Sequence, residues 1–384
     1  MSNFIEEFKK GQAGLNQGLY LGPGLDKMSR EINGLQKGMH IIVAAASKCG
    51  KSTFVNYAFV INCYLDALKN NIDITFTYFS FEMNRILQEY EFACHFLFLD
   101  YGITHISLEP DVYVKGNTEI PLSSKYLRGK VKDDDGNIVL VKESIKEVLI
   151  EVYEKRIIPL FGEYSVNGVK LTNGVIDFIE HKENPTGLNN YLLKKAEKEG
   201  SFEKIQYSYK NTQTLAVENK EKIVSYTPNN PNKYHIVITD TVRKLPRERG
   251  FTMKENIDKW LEYSTELRNL LDYDFVNIIH TNRSLGDVET IKFRKDNLYP
   301  TSDNVKDSGN ASEECDFLIT MFNPNDDRYN LQTHFGKKIK DGKGNPLFPN
   351  LRTLHIVESR HGDSPLHYAV EMEGNIKNFK QIAL

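Results

Sequence analysis

The chain has 384 residues, enough for one large α/β domain or two ordinary ones, and its 40% hydrophobic and 26% charged residues are a globular composition that can bury a substantial core. A net charge of −3 excludes a global basic field that draws the molecule to nucleic acid, so any such contact must come from a local patch or an oligomer's inner surface. The four cysteines, Cys49, Cys63, Cys94 and Cys315, are scattered without a C-x-x-C pair, which fits neither a disulfide framework nor a zinc site and suits a reducing cytoplasm.

No apolar run approaches the ~20 residues of a membrane span, and the first residues lack a signal peptide's apolar stretch, so an intracellular, cytoplasmic protein is expected. Phe4, Ile5 and Phe8 fall at helical spacing ahead of the glycine-rich stretch Gly11 to Gly24. Residues 1–23 therefore read as an arm with a short amphipathic helix, packed either on its own core or on a neighbouring subunit. The apolar run His40-Ile41-Ile42-Val43-Ala44 predicts a strand, and a helical pattern runs from Phe54 to Leu68. Between them lie Ala45, Ala46, Ser47, Lys48, Cys49, Gly50, Lys51, Ser52 and Thr53, the strand–loop–helix setting of a phosphate-binding loop. Gly50 lets backbone N–H groups turn toward anionic oxygens, and the helix N-terminus adds a favourable partial charge. Lys51 can reach β- and γ-phosphates, and the Ser52 hydroxyl can ligate Mg²⁺. Ala45 stands where the strict G-x-x-x-x-G-K-[ST] pattern has its first glycine.

Ile72 to Phe79 is a β-rich run ending in Ser80-Phe81-Glu82-Met83, which puts a carboxylate just beyond a strand's carboxyl end, where open α/β sheets gather ligands. Helical periodicity follows from Asn84 to Leu99. Residues 105–235 read as an elaboration within one domain spanning 24–384: a hairpin around Asp135-Gly136, helices over 144–157 and 189–200, and a surface strand at Tyr207-Ser208-Tyr209-Lys210. A second strand, His235 to Asp240, ends in an acid, as a Walker B strand does to present Asp to hydrated Mg²⁺. A third, Phe275 to Ile279, ends in His280-Thr281-Asn282-Arg283, and Phe317 to Met321 and Leu354 to Val357 are further candidates. In this order behind a phosphate loop they predict a parallel sheet with a nucleotide site along one edge.

These residues resemble the RecA-like motor domain of DnaB-type replicative helicases, from Gly24 to about Phe379 with a poorly matched middle. Asn33-Gly34-Leu35-Gln36-Lys37-Gly38-Met39-His40 looks like that family's entry into its Walker A loop, and members commonly carry Ala at the position of Ala45. Phe79-Ser80-Phe81-Glu82-Met83 is similar to F-S-L-E-M, and His280-Thr281-Asn282-Arg283-Ser284-Leu285 to Q-L-N-R-S-L. Asp307-Ser308-Gly309-Asn310 with Glu313-Glu314-Cys315-Asp316 resembles E-S-G-x-I-E-Q-D-A-D. Glu358-Ser359-Arg360-His361-Gly362 falls where the family has K-Q-R-N-G.

The resemblance implies an α/β fold with a RecA-like P-loop core, a mostly parallel central sheet flanked by helices, and an ATPase using ATP and Mg²⁺. It implies Glu82 as activator of the attacking water, Asp240 with Ser52 at Mg²⁺, and Arg360 as an arginine finger toward a neighbour's nucleotide. It also implies a ring, in the family a hexamer, on single-stranded DNA, with primase and loader acting in trans, since no collar domain precedes the motor and a phage-type protein is suggested. For DNA contact the residues are Arg283 and, in the loop 286–306, Lys292, Arg294 and Lys295, although Asp287, Glu289, Asp296 and Asp303 dilute the charge. Two positions depart from the pattern. His280 replaces the γ-phosphate-sensing Gln with a group that can change charge near neutral pH, and Glu358 replaces a Lys beside the finger. Other readings of the same core are a recombination or DNA-packaging ATPase, or a nucleotide-binding scaffold with weakened hydrolysis.

Overall fold

The computed structural model describes Ile5, Phe8, Lys9, Gln12 and residues 17–165, 168–210, 217–282, 284–305 and 311–383. Phe4, Arg283 and the motif Asp307-Ser308-Gly309-Asn310 lie outside the described residues. Ile5 and Phe8 are helical and exposed.

A nine-stranded sheet organises the chain. Its strands are β1 (His40–Ala45), β2 (Ile74–Ser80), β3 (Ile176–Ile179), β6 (Tyr234–Asp240), β7 (Asp274–His280), β8 (Phe317–Phe322), β9 (Leu351–Ser359), β10 (Leu366–Glu373) and β11 (Asn378–Ile382). Two further strands, β4 (Gly200–Lys210) and β5 (Val217–Pro228), pair only with each other as a long hairpin. Spatial order in the sheet is β11-β10-β9-β8-β1-β7-β6-β2-β3. The six strands from β8 to β3 run parallel, whereas β9, β10 and β11 add on antiparallel. Leu354 to Val357 thus belongs to an antiparallel extension, which single-strand periodicity cannot distinguish from a parallel strand.

The parallel strands are continuous apolar runs because both faces are covered, and every residue of β1, β8 and most of β7 is buried. Alternate residues feed opposite cores: Ile41, Val43, Phe76, Ile238 and Ile278 one side, Ile42, Ala44, Phe79, Val237 and Phe275 the other. The helices that cover the sheet include α1, which starts as Lys51–Val55, passes through a π-helical stretch Asn56–Asn62 and ends as Cys63–Lys69. The next, α2 (Arg85–Tyr101), is capped by the Asn84 side chain, which accepts from Leu87 N at 2.9 Å. On the other face α3 (Pro185–Glu199) and α4 (Met253–Leu271) pack together, α4 opening with a Thr252–Glu255 capping box.

The region 105–235 contributes β3, the outermost parallel strand, as well as the β4–β5 hairpin. The hairpin expected around Asp135-Gly136 is instead a turn with one isolated bridge, Lys132 to Ile138. Around that bridge Asp133 N donates to the Asn137 carbonyl and Val139 N to the Val131 carbonyl, each at 2.9 Å, while Asp133 Oδ1 accepts from Asn137 N at 2.7 Å inside the turn and Asp134 reaches out to Lys115 N and Gly116 N of a separate turn. No helix among the described residues is long and apolar enough to cross a membrane.

A buried polar network ties α4 to the sheet. Trp260 Nε1 donates to Asn277 Oδ1 at 2.8 Å, and Asn277 Nδ2 lies 2.9 Å from His40 Nε2. His40 Nδ1 is 2.9 Å from the Glu314 carbonyl, which can only accept, so His40 is protonated on Nδ1 and accepts through Nε2. Burial, followed by the nearby Arg268, lowers its pKa to about 3 and keeps it neutral. Replacing the single tryptophan, Trp260→Phe, orphans the Asn277 carbonyl; the expected loss is about 1–3 kcal/mol in urea unfolding followed by circular dichroism.

Candidate functional site

At the carboxyl ends of β1, β2, β6 and β7 a cleft of about 320 Å³ is lined by Ser47, Lys48, Gly50, Lys51, Ser52, Thr53, Glu82, Asp240, Thr241, His280 and Met372.

From β1 the chain turns through two left-handed residues, Lys48 (φ 62°) and Gly50 (φ 109°), into α1. Gly50 is required twice over, by its φ and because an added Cβ would sit 2.5 Å from Met372 Sδ. Arg352 braces the loop from behind, donating from Nε to the Cys49 carbonyl at 3.0 Å. Lys51 folds back over the loop, 3.0 Å from the Ala46 carbonyl that accepts from it and 3.2 Å from His280 Nδ1. It is only 7% exposed. Burial lowers its pKa, against the pull of Cys49, Asp240 and Glu82. A desolvated ammonium whose contacts are a carbonyl and an imidazole is unfavourable until an anion arrives.

Asp240, the last residue of β6, is its counterpart. Burial raises its carboxyl pKa, opposed by a Ser52 hydrogen bond, with Glu82 adding to the rise. The Tyr78 hydroxyl lies 3.0 Å from Asn56 Oδ1 and 3.3 Å from Asp240 Oδ2, and its single proton serves one at a time. A buried carboxylate beside a serine hydroxyl is a hard, oxygen-only donor pair. It fits Mg²⁺, which keeps several waters and takes one or two protein oxygens. Among the described residues no group of three or more His, Cys, Asp or Glu forms a denser metal site. Glu82 stands at the cleft's mouth, its side chain 4.0 Å from Lys244 Nζ.

Sequence reading found Glu82, His280, Lys51, Ser52 and Asp240, and the fold brings all five to one cleft together with the loop residues Ser47, Lys48, Gly50 and Thr53. It missed Met372, Tyr78 and Arg352, which reach the site from distant strands and carry no local motif. Tyr78 alone had a usable signal, lying two residues before the end of the strand that leads to Glu82.

Arg360 lies elsewhere. Ser359 is level with Phe317 and Ile41, so Arg360 leaves the sheet at the amino end of β1. The four steps from Ile41 to Ala45 span about 13 Å at ~3.3 Å per residue, which puts Arg360 out of reach of its own cleft. Glu358 pairs with Leu318 at that same far end.

The loop expected over 286–306 is partly helical, with a short helix at Val288–Arg294 and 3₁₀ turns at Lys295–Asn297 and Ser302–Asn304. Leu285 and Leu298 anchor it in a small third core. Lys292 and Lys295 are exposed, whereas Arg294 is half-buried and donates to the Tyr299 carbonyl at 3.0 Å. Phe293, 90% exposed between these cations, is an aromatic that the charge-based reading overlooked.

No family model matches the chain, and no curated protein matches it. Solved structures do. A DnaB-like replicative helicase, solved with its interactions with primase as the subject, matches with a TM-score of 0.59 and 12% identity over 98% of this chain and 67% of that one. A solved ATPase domain matches with a TM-score of 0.57 and 12% identity over 99% of this chain and 97% of that one. The chain has the RecA-like fold. At that identity the likeness establishes architecture: a large, mostly parallel sheet flanked by helices.

Two expectations follow from the geometry. Gly50→Ala forces both a strained φ and a clash with Met372, so nucleotide binding measured by fluorescent-analogue titration falls at least tenfold, and the added substitution Met372→Ala restores only part of it. A carboxyl pKa raised by folding contributes stability at low pH that is lost as pH rises from the ordinary value of 3.8 through the raised one. Asp240→Asn therefore melts no lower than the wild type at pH 8 without ligand, while Mg²⁺ plus nucleotide raises the melting temperature of the wild type only.

Proposed function

We propose that this protein is an ATP-driven motor of the DnaB-like type, a ring that couples ATP hydrolysis to movement along single-stranded DNA and unwinding of duplex. The observation that carries this reading is the convergence of a desolvated lysine, a serine–aspartate oxygen pair and a part-exposed glutamate in one cleft of a RecA-like fold.

Lys51 and the amides of residues 47–51 hold the triphosphate, satisfying the cation that folding leaves without a counter-anion. Ser52 and Asp240 would hold Mg²⁺, which when bound would neutralise charge on the phosphate oxygens. Glu82 orients a water for in-line attack and accepts its proton, from a position open enough to admit that water. His280, next to Lys51, registers the γ-phosphate and relays its presence to the 284–305 segment that follows β7. Arg360 completes a neighbouring subunit's cleft, because its distance from its own leaves no other way for it to meet a nucleotide. In other phosphoryl-transfer enzymes such a finger is worth ~10³–10⁵ in rate. Glu358 beside it is an anion, which lowers the expected gain.

Lys292, Phe293 and Lys295 support the DNA half of the reading: exposed cations flanking an exposed aromatic suit a strand's phosphates and bases. Repeated around a ring, this segment would bind without sequence preference and release counterions. Hexameric assembly and primase or loader partners remain part of the same proposal.

The test is Mg²⁺-dependent ATPase rate with and without single-stranded DNA. The wild type is expected to be stimulated by DNA, and Lys51→Ala to lose nearly all turnover; a Lys51→Ala protein with DNA-stimulated hydrolysis overturns the proposal. Glu82→Gln should keep nucleotide affinity while turnover falls by ~10²–10⁴. Lys292→Ala with Lys295→Ala should weaken DNA binding uniformly across sequences and flatten its salt dependence.

A further inference from the structure

Asp316 sits in the turn between the short helix Ala311–Glu314 and β8, with a side chain only 6% exposed. It joins three parts of the fold that are remote in sequence. Its Oδ2 accepts from His40 N at 2.8 Å and from Arg268 Nη1 of α4 at 2.5 Å, and its own N–H donates to the His40 carbonyl at 2.7 Å. On its other side, the Asp316 carbonyl accepts from Arg360 N at 3.0 Å, and Oδ1 lies 3.5 Å from His361 Nε2. The Arg360 guanidinium itself donates to the Glu313 carbonyl, three residues back on the same turn. That turn is bolted down again where the Glu314 carbonyl accepts from Thr265 Oγ1 at 2.9 Å.

An exposed arginine at the end of an edge-proximal strand would ordinarily sweep a wide volume and lose side-chain entropy on every productive contact. Here both its backbone and its head group are tied to one turn, and that turn is held by a buried, charge-assisted carboxylate–guanidinium pair. Such a pair is costly to break from one side only, because the remaining charge is left buried.

We infer that Asp316, clamped by Arg268, is the positioning residue that sets the direction and reach of Arg360 toward a neighbouring subunit's nucleotide. The inference rests on the proposed trans role of Arg360 and deepens it. Asp316 touches no nucleotide and acts only through the finger. Its place directly after the segment that follows the 284–305 region also puts the finger's mooring on the chain path leading from the proposed DNA contact.

The experiment is a double-mutant cycle on the full chain, reading kcat and KM for ATP with single-stranded DNA and Mg²⁺. Arg360→Ala and Asp316→Asn are each expected to lower kcat at least tenfold with KM for ATP changed less than twofold, and the double variant to be no slower than Arg360→Ala alone. Arg268→Gln reaches the same carboxylate from α4 and should show the same non-additivity, which keeps the test open if Asp316→Asn does not fold. If Arg360→Ala lowers kcat but the Asp316 or Arg268 loss multiplies on top of it, the positioning role is wrong while the trans finger stands. If Arg360→Ala leaves kcat unchanged, the trans finger and this inference fall together. Loss of folding or assembly in both Asp316→Asn and Arg268→Gln makes the cluster merely structural and also overturns the inference.

Discussion

Both faces of the central sheet are covered by helices and loops, and that single constraint decides where chemistry can happen. A parallel strand buried on both faces has no room for an unpaired charge, so its interior is mostly Ile, Val, Phe and Ala, with hydrogen-bonded neutral groups such as Asn277 between them. Polar side chains that must stay available can only stand where a strand ends. Lys51, Glu82, Asp240 and His280 come from four different strand ends, and the parallel direction of β1, β2, β6 and β7 is what brings those ends to one rim.

The rim is built against its own stability. Lys51 and Asp240 are both buried, opposite in charge, and not in contact; burial pushes the lysine pKa down and the carboxyl pKa up. A direct ion pair would relieve both but would fill the space between them with protein. Keeping them apart, with the amide-lined loop at 46–50 between, leaves each group short of a counter-charge. A metal-bound polyphosphate carries both of the missing partners. The same logic explains the rigid loop, since Gly50 against Met372 and Arg352 on the Cys49 carbonyl hold the amides without help from a ligand.

The sheet's length sets a second condition. With about 13 Å of β1 between the level of Ser359 and the loop, Arg360 and the cleft of the same chain cannot cooperate. Any contribution of Arg360 to hydrolysis requires another copy, so enzymatic competence and assembly become one question. Glu358 and His280, the two departures from the helicase pattern, sit at opposite ends of the sheet: His280 beside Lys51 in the cleft, Glu358 at the far end near Arg360.

Much of the site was legible because its chemistry is local. A glycine, a lysine and a hydroxyl in succession between an apolar run and a helical pattern can be read without a fold, and acids at the ends of apolar runs can be listed as candidates. Strand identity was readable for the same reason, since six-residue apolar runs have few other uses. Other features were not legible. The hairpin at Asp135-Gly136 shrinks to a single bridge, an extent that periodicity does not set, and 286–306 looked like a loop because its short helix is held by Leu285 and Leu298 in a core that other segments complete. Direction was hidden as well: β9 reads like any core strand, yet runs antiparallel.

The sequence by itself determined that this chain carries a phosphate loop and which side chains are equipped to serve it, because those properties depend on residue type and on spacings of a few bonds. Only the tertiary structure decided that Met372, Tyr78 and Arg352 reach that cleft, that Arg360 lies away from it, and that Arg360 is tied to the turn of Glu313 and Asp316. Those relations run between segments tens to hundreds of residues apart, and the order and direction of strands in a sheet, not any local preference, bring such segments together or hold them apart.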